Sequence, residues 1–149
     1  MIDHMTLTVS DLDRSIDFYN RALGPLGYGV TMRFEDFVGI GTKRKPFFWI
    51  KPGPFPTQPM HIAFVARSRG DVERFHRAAL AAGAKDNGPP GLRPDYHPNY
   101  FGAFVIGPDG HNLEAVCHDP VPAAGAKKKK ARPARARRSP AASRRRRAR

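Results

Sequence analysis

Three side chains in this sequence carry the donor chemistry of a divalent-metal site: His4, His61 and Glu114. Two neutral imidazoles and one carboxylate form a facial triad that leaves coordination positions open, which suits iron(II), manganese or another divalent ion. Open positions let a substrate place two adjacent oxygens on the ion, which then serves as Lewis acid and template. The histidines stand out because of a repeat. His4-Met5-Thr6-Leu7-Thr8-Val9 and His61-Ile62-Ala63-Phe64-Val65-Ala66 read as two copies of one strand at an offset of 57 residues. Downstream, Phe18 falls on Phe75, Ala22 on Ala79 and Leu23 on Leu80. A unit used twice buries its faces against its copy, and equivalent histidines can then converge.

The elements that must hold these residues follow from hydrophobic period. In a first strand over about 2–9, Met5, Leu7 and Val9 share one face, while His4, Thr6 and Thr8 share the other. Ser10 or Asp11 can cap the following helix, whose stripe of Leu12, Ile16, Tyr19 and Leu23 ends at Gly24-Pro25. Short strands are expected over about 27–34, 36–41 and 46–50, then a Pro/Gly-rich link over 51–59. The second half repeats the order, with a strand over about 60–66 and a helix over about 70–82 closed by Gly83. Residues 87–98 read as a long loop because of their Gly and Pro content. Strands over 100–106 and 111–117 are joined by the tight turn Gly107-Pro108-Asp109-Gly110. In the last strand Leu113, Ala115 and Cys117 face the helices, and Glu114 joins His4 and His61 on the polar side.

Around that triad, Arg93-Pro94-Asp95-Tyr96-His97-Pro98-Asn99-Tyr100 brings a proton donor or acceptor near the expected metal. His97 and Tyr100 are the candidates for proton transfer, with Glu114 as the third catalytic group. The same loop can instead be a polar segment whose aromatics pack on the rim. Phe48, Trp49, Tyr96 and Asn112 are the candidate substrate-binding residues; core packing competes for at least one of Phe48 and Trp49. His76 and His111 are expected at the surface, His118 carries no role, and Cys117 is a small core residue.

Charge divides the chain in two. Of 26 Lys and Arg, 13 lie in 127–149, which leaves 13 basic against the 13 acidic residues of 1–126, so that part is formally neutral. The expected organisation is one folded domain, 1–120, and a disordered Lys/Arg/Ala/Pro-rich tail, 121–149, too poor in apolar surface to offset its ordering entropy. The tail suits non-specific association with nucleic acid through phosphate contacts. It lacks aromatics for base stacking. One cysteine excludes an intrachain disulfide and, with no secretory leader, fits a cytoplasmic protein. No apolar run approaches the length of a membrane span.

The segments DHMTLTVSDLDRSIDFYNRALGPLGY, MHIAFVA and GPDGHNLEAV, in that order over about residues 1–118, resemble the vicinal oxygen chelate superfamily. Its members include glyoxalases, bleomycin-resistance proteins, fosfomycin-resistance enzymes and extradiol dioxygenases. The resemblance implies an α+β fold of two βαβββ modules forming an incomplete, cupped barrel, commonly assembled as homodimers. By position, His4, His61 and Glu114 match three metal-ligand positions, and the ion would be iron, manganese, zinc or nickel. In glyoxalase-type members the fourth strand adds a carboxylate. Here that strand reads Pro46-Phe47-Phe48-Trp49-Ile50, so the three-ligand set is closer to the dioxygenase pattern. The expected function is a metal-dependent dioxygenase-like enzyme, or a lyase or isomerase, acting on a small substrate with adjacent oxygens. The competing readings are a metal-free drug- or metabolite-binding protein of the same fold, and a domain carried to nucleic acid by its tail.

Overall fold

A computed structural model describes residues 2–43 and 45–120. The expected disorder of the tail concerns residues outside that range. Strand β1 (Met5–Val9) leads into helix α1 (Leu12–Leu23), and three antiparallel strands follow: β2 (Gly29–Phe34), β3 (Phe37–Thr42) and β4 (Lys45–Pro52). The second half repeats the order with β5 (His61–Val65), α2 (Arg69–Ala81), β6 (Lys85–Leu92), β7 (Phe101–Ile106) and β8 (Asn112–Cys117). Each half forms its own four-stranded sheet, in the orders β1-β4-β3-β2 and β5-β8-β7-β6. The first and last strands of each unit run parallel and the rest antiparallel. These are the two βαβββ modules expected, each an open cup.

Helix starts obey local chemistry. The Asp11 carboxylate accepts the Arg14 N–H at the start of α1, and Ser68 does the same for Asp71 at the start of α2. Each helix lays its apolar stripe on its own sheet, and the two helices pack on each other. One core results, with Leu7, Val9, Phe48 and Ile50 from the first sheet and Phe64, Leu113, Ala115 and Cys117 from the second. Phe48 meets Phe64 edge-on at 5.6 Å across the modules. A buried carboxylate also ties the halves together. Asp109, in the β7–β8 turn, accepts hydrogen bonds from the Ser10 N–H (2.9 Å), the Ser10 hydroxyl (2.6 Å) and the Ser15 hydroxyl (3.1 Å). Each sheet packs one face on its helix and turns the other away from it, as the alternation of exposed and buried residues along β5 shows.

One expectation about the elements fails. Residues 87–98 are not all loop: Lys85–Leu92 pair with β7 as an edge strand whose register shifts between Asp86 and Gly88 and again between Gly88 and Gly91. Pro89 and Pro90 occupy the second shift, where a missing N–H costs no ladder bond. Only the stretch from Arg93 to Tyr100 remains a loop, closed by an Arg93 N–H to Tyr100 carbonyl bond of 2.8 Å.

Candidate functional site

Parallel pairing of β5 with β8 sets His61 beside Asn112 and Ala63 beside Glu114 on the outward face of the second sheet. From there the His61 Nε2 meets Glu114 Oε2 at 2.9 Å. The Tyr100 hydroxyl donates to the other carboxylate oxygen, Oε1, at 2.5 Å. Glu114 is 1% exposed, so its carboxylate is accessible chiefly through these two partners, whereas the His61 side chain is 53% exposed to the cup. Burial first, then the hydrogen bond to Glu114 and its charge, push the Tyr100 phenol well above its ordinary value. It is therefore a protonated donor at neutral pH. Gly102 makes the arrangement sterically possible: a Cβ there would lie 3.0 Å from Glu114 Oε1 and 3.2 Å from Tyr100 Cε1.

The rim is aromatic. Tyr96 meets Tyr100 edge-on at 5.1 Å, His118 meets it at 5.0 Å, and His97 touches His118 at 6.0 Å. His97, expected to transfer protons, thus stands one ring further out than Tyr100, with Nδ1 accepting the Asn99 N–H at 3.2 Å. His118, to which the sequence assigned no role, is the ring between them. The Asn112 side-chain carbonyl accepts from Asn87 at 3.1 Å, and both line a hollow of about 360 Å³ with His61.

The first cup differs. His4, Thr6, Met32, Phe34, Phe37 and Trp49 line a hollow of about 450 Å³. Among the described residues His4 bonds only to neighbouring Asp3, at 2.9 Å, and its side chain is 57% exposed. Trp49 faces this cup, but Phe48 points the other way, fully buried against Tyr19 and Phe64, and offers no surface to a ligand. The structure thus brings His61, Glu114 and Tyr100 together and leaves His4 on the other cup. Among the described residues no group of three or more His, Cys, Asp or Glu side chains is gathered to hold a metal ion. A divalent ion at the second cup would find two of the three expected donors within one chain.

Two histidines expected at the surface are buried. His76 lies on the inner stripe of α2, with Val72, Phe75 and Ala79, and bonds Asp86 through Nε2 at 2.9 Å. The spacing 72, 75, 76, 79 carries that signal. His111 is 2% exposed; its Nδ1 accepts the Met60 N–H at 3.1 Å, and burial lowers its pKa. Among the described residues no helix is long and apolar enough to cross a membrane.

Comparison with known proteins places this geometry in a family. Residues 1–115 match the family model described as Glyoxalase/Bleomycin resistance protein/Dioxygenase superfamily. A glyoxalase/bleomycin resistance protein from Albidiferax ferrireducens is 27% identical with a TM-score of 0.64, the match covering 76% of this chain and 96% of that one. A glyoxalase/bleomycin resistance protein/dioxygenase family enzyme from Burkholderia phytofirmans shares the fold at 15% identity and a TM-score of 0.61, covering 77% and 96%. A glyoxalase-related enzyme from Fulvimarina pelagi does so at 20% and 0.60, covering 78% and 86%.

Proposed function

The chain belongs to the glyoxalase/bleomycin resistance protein/dioxygenase superfamily, and from that premise we propose that it is a homodimeric, metal-dependent enzyme acting on a small substrate with adjacent oxygens. His61 and Glu114 supply two ligands from one chain, and His4 of the partner subunit supplies the third. Tyr100 holds the Glu114 carboxylate with its one hydroxyl proton, and its phenol oxygen, with the outer His97 imidazole, assists proton transfer at the substrate. Asn112 and Tyr96 contact the substrate on the polar side, and Trp49 of the partner subunit walls the apolar side.

The observation that carries this reading is the exposure of two dissimilar half-sites. The first cup presents Met32 at 49% exposure and Phe34 at 64%, an apolar face of the kind a partner covers. A twofold pairing of first cup onto second cup covers it twice and creates two identical sites. The bound ion would act as Lewis acid and template for the two substrate oxygens.

Metal analysis tests the reading. The purified protein is expected to retain a divalent ion that a His61→Ala variant loses. Equal and negligible metal in both would remove the enzyme reading and leave a metal-free binding protein of the same fold. For the tail, we propose non-specific association with nucleic acid, on the strength of 13 cations and no acid in residues 127–149. Removal of 121–149 is expected to abolish salt-sensitive binding to random duplex DNA; unchanged affinity and salt slope would refute it.

A further inference from the structure

Arg93 sits in the second cup under unusual conditions. Its guanidinium lies over the Phe104 ring, 5.5 Å from the centroid, and His61 lies against the same ring at 6.0 Å. Nη2 donates to the Pro89 carbonyl at 2.8 Å and Nη1 to the Leu92 carbonyl at 3.2 Å. The bulged edge strand leaves room for it: a Cβ at Gly91 would stand 2.8 Å from Nη1, and one at Gly88 3.5 Å from Nη2. The Arg93–Tyr100 backbone bond couples its position to the tyrosine that holds Glu114. Arg14, Arg21, Arg33, Arg67 and Arg74 each lie within 4 Å of a carboxylate. Among the described residues no carboxylate does so for Arg69, Arg77 or Arg93, and of these three it is Arg93 that lines the hollow beside His61.

A guanidinium fixed by neutral carbonyls keeps its charge uncompensated and has N–H donors left over, at the wall of the hollow that Arg93 lines. That is the requirement for capturing an anion from a ligand held by a neighbouring group. Arg93 is the one cation among the residues described as lining this hollow, beside Asn87, Asn112 and His61. One positive charge with a planar fork matches the single charge of a carboxylate; a phosphate dianion calls for a second cationic side chain beside Arg93, and the lining holds none.

We infer that the substrate of the second cup carries a carboxylate, and that Arg93 is the residue that selects it. The inference rests on the reading of that cup as the substrate site. It predicts that 2,3- or 3,4-dihydroxybenzoate binds the metal-loaded protein about 10- to 100-fold more tightly than catechol, the range expected for a charge-assisted hydrogen-bonded pair. The preference should collapse toward unity in Arg93→Gln and persist in part in Arg93→Lys, with thermal melting used to verify that both variants fold. Benzoate, which has the carboxylate but no adjacent oxygens, separates the two claims. Arg93-dependent benzoate binding without any gain from the diol would sink the adjacent-oxygen reading and spare the carboxylate. If neither dihydroxybenzoate outcompetes catechol, if the preference survives Arg93→Gln, or if phenyl phosphate binds more tightly than benzoate, the inference is wrong.

Discussion

The two cups are copies of one unit turned to different chemistry. Strand register makes the comparison residue by residue. Thr6 is the repeat equivalent of Ala63; Thr6 pairs with Trp49, and Ala63 pairs with Glu114. The first cup therefore carries an indole where the second carries a carboxylate. Gly39, opposite Trp49, gives the indole its seat, since a Cβ there would come within 3.0 Å of the ring. The equivalent histidines diverge in the same way: His4 bonds an exposed neighbour, His61 a buried carboxylate. The fold dictates which positions face outward, and side-chain identity decides whether the face is an apolar wall or a hydrogen-bonded polar floor.

The largest effect should come from substituting across the sheet rather than along it. Phe48→Ala empties a fully buried site in the common core and should cost about 3–5 kcal/mol in urea unfolding. Its neighbour Trp49, on the outward face, should cost less than about half of that in the folded chain, with its main effect on dimer dissociation measured by sedimentation. Equal costs would mean that the two faces are not distinct. Within the second cup, Tyr100→Phe removes the donor on Glu114 Oε1 and should weaken metal retention about 10- to 100-fold, as loss of an outer partner does. The same readout in a Trp49→Phe variant should move much less.

The smallest effect lies at the seam between the cups. Burial holds the His111 imidazole below its ordinary value of 6.5, so the unfolded chain binds its proton more readily. Its contribution is intact above pH 6.5 and is lost as pH falls from there through the lower folded value. His111→Gln should flatten that part of a stability-against-pH curve measured by chemical denaturation, and an unchanged slope would assign the titration elsewhere.

How much of this was legible beforehand depends on the range over which each feature is encoded. Strand β1, with Leu7 and Val9 alternating against Thr6 and Thr8, and the 57-residue repeat made the two modules readable from local period alone. Strand β6 was not readable, because Asn87-Gly88-Pro89-Pro90-Gly91 has loop composition and becomes a strand only by pairing through two bulges with β7. The pairing of His61 with Glu114 followed from parity along β5 and β8. The separation of His4 did not, since alternation assigns a face within a sheet but not which way two sheets pack about their helices. Arg93 was visible as a residue; that no carboxylate among the described residues pairs with it is a three-dimensional fact.

The most direct test of a site shared between subunits is complementation. His4→Ala and His61→Ala variants, each expected to lose the ion, would be unfolded together, refolded as a mixture and assayed for bound metal. Random pairing places one intact site in each mixed dimer, so recovery to about a quarter of the wild-type metal content is expected. No recovery, in a mixture shown to contain mixed dimers, would contradict the shared site.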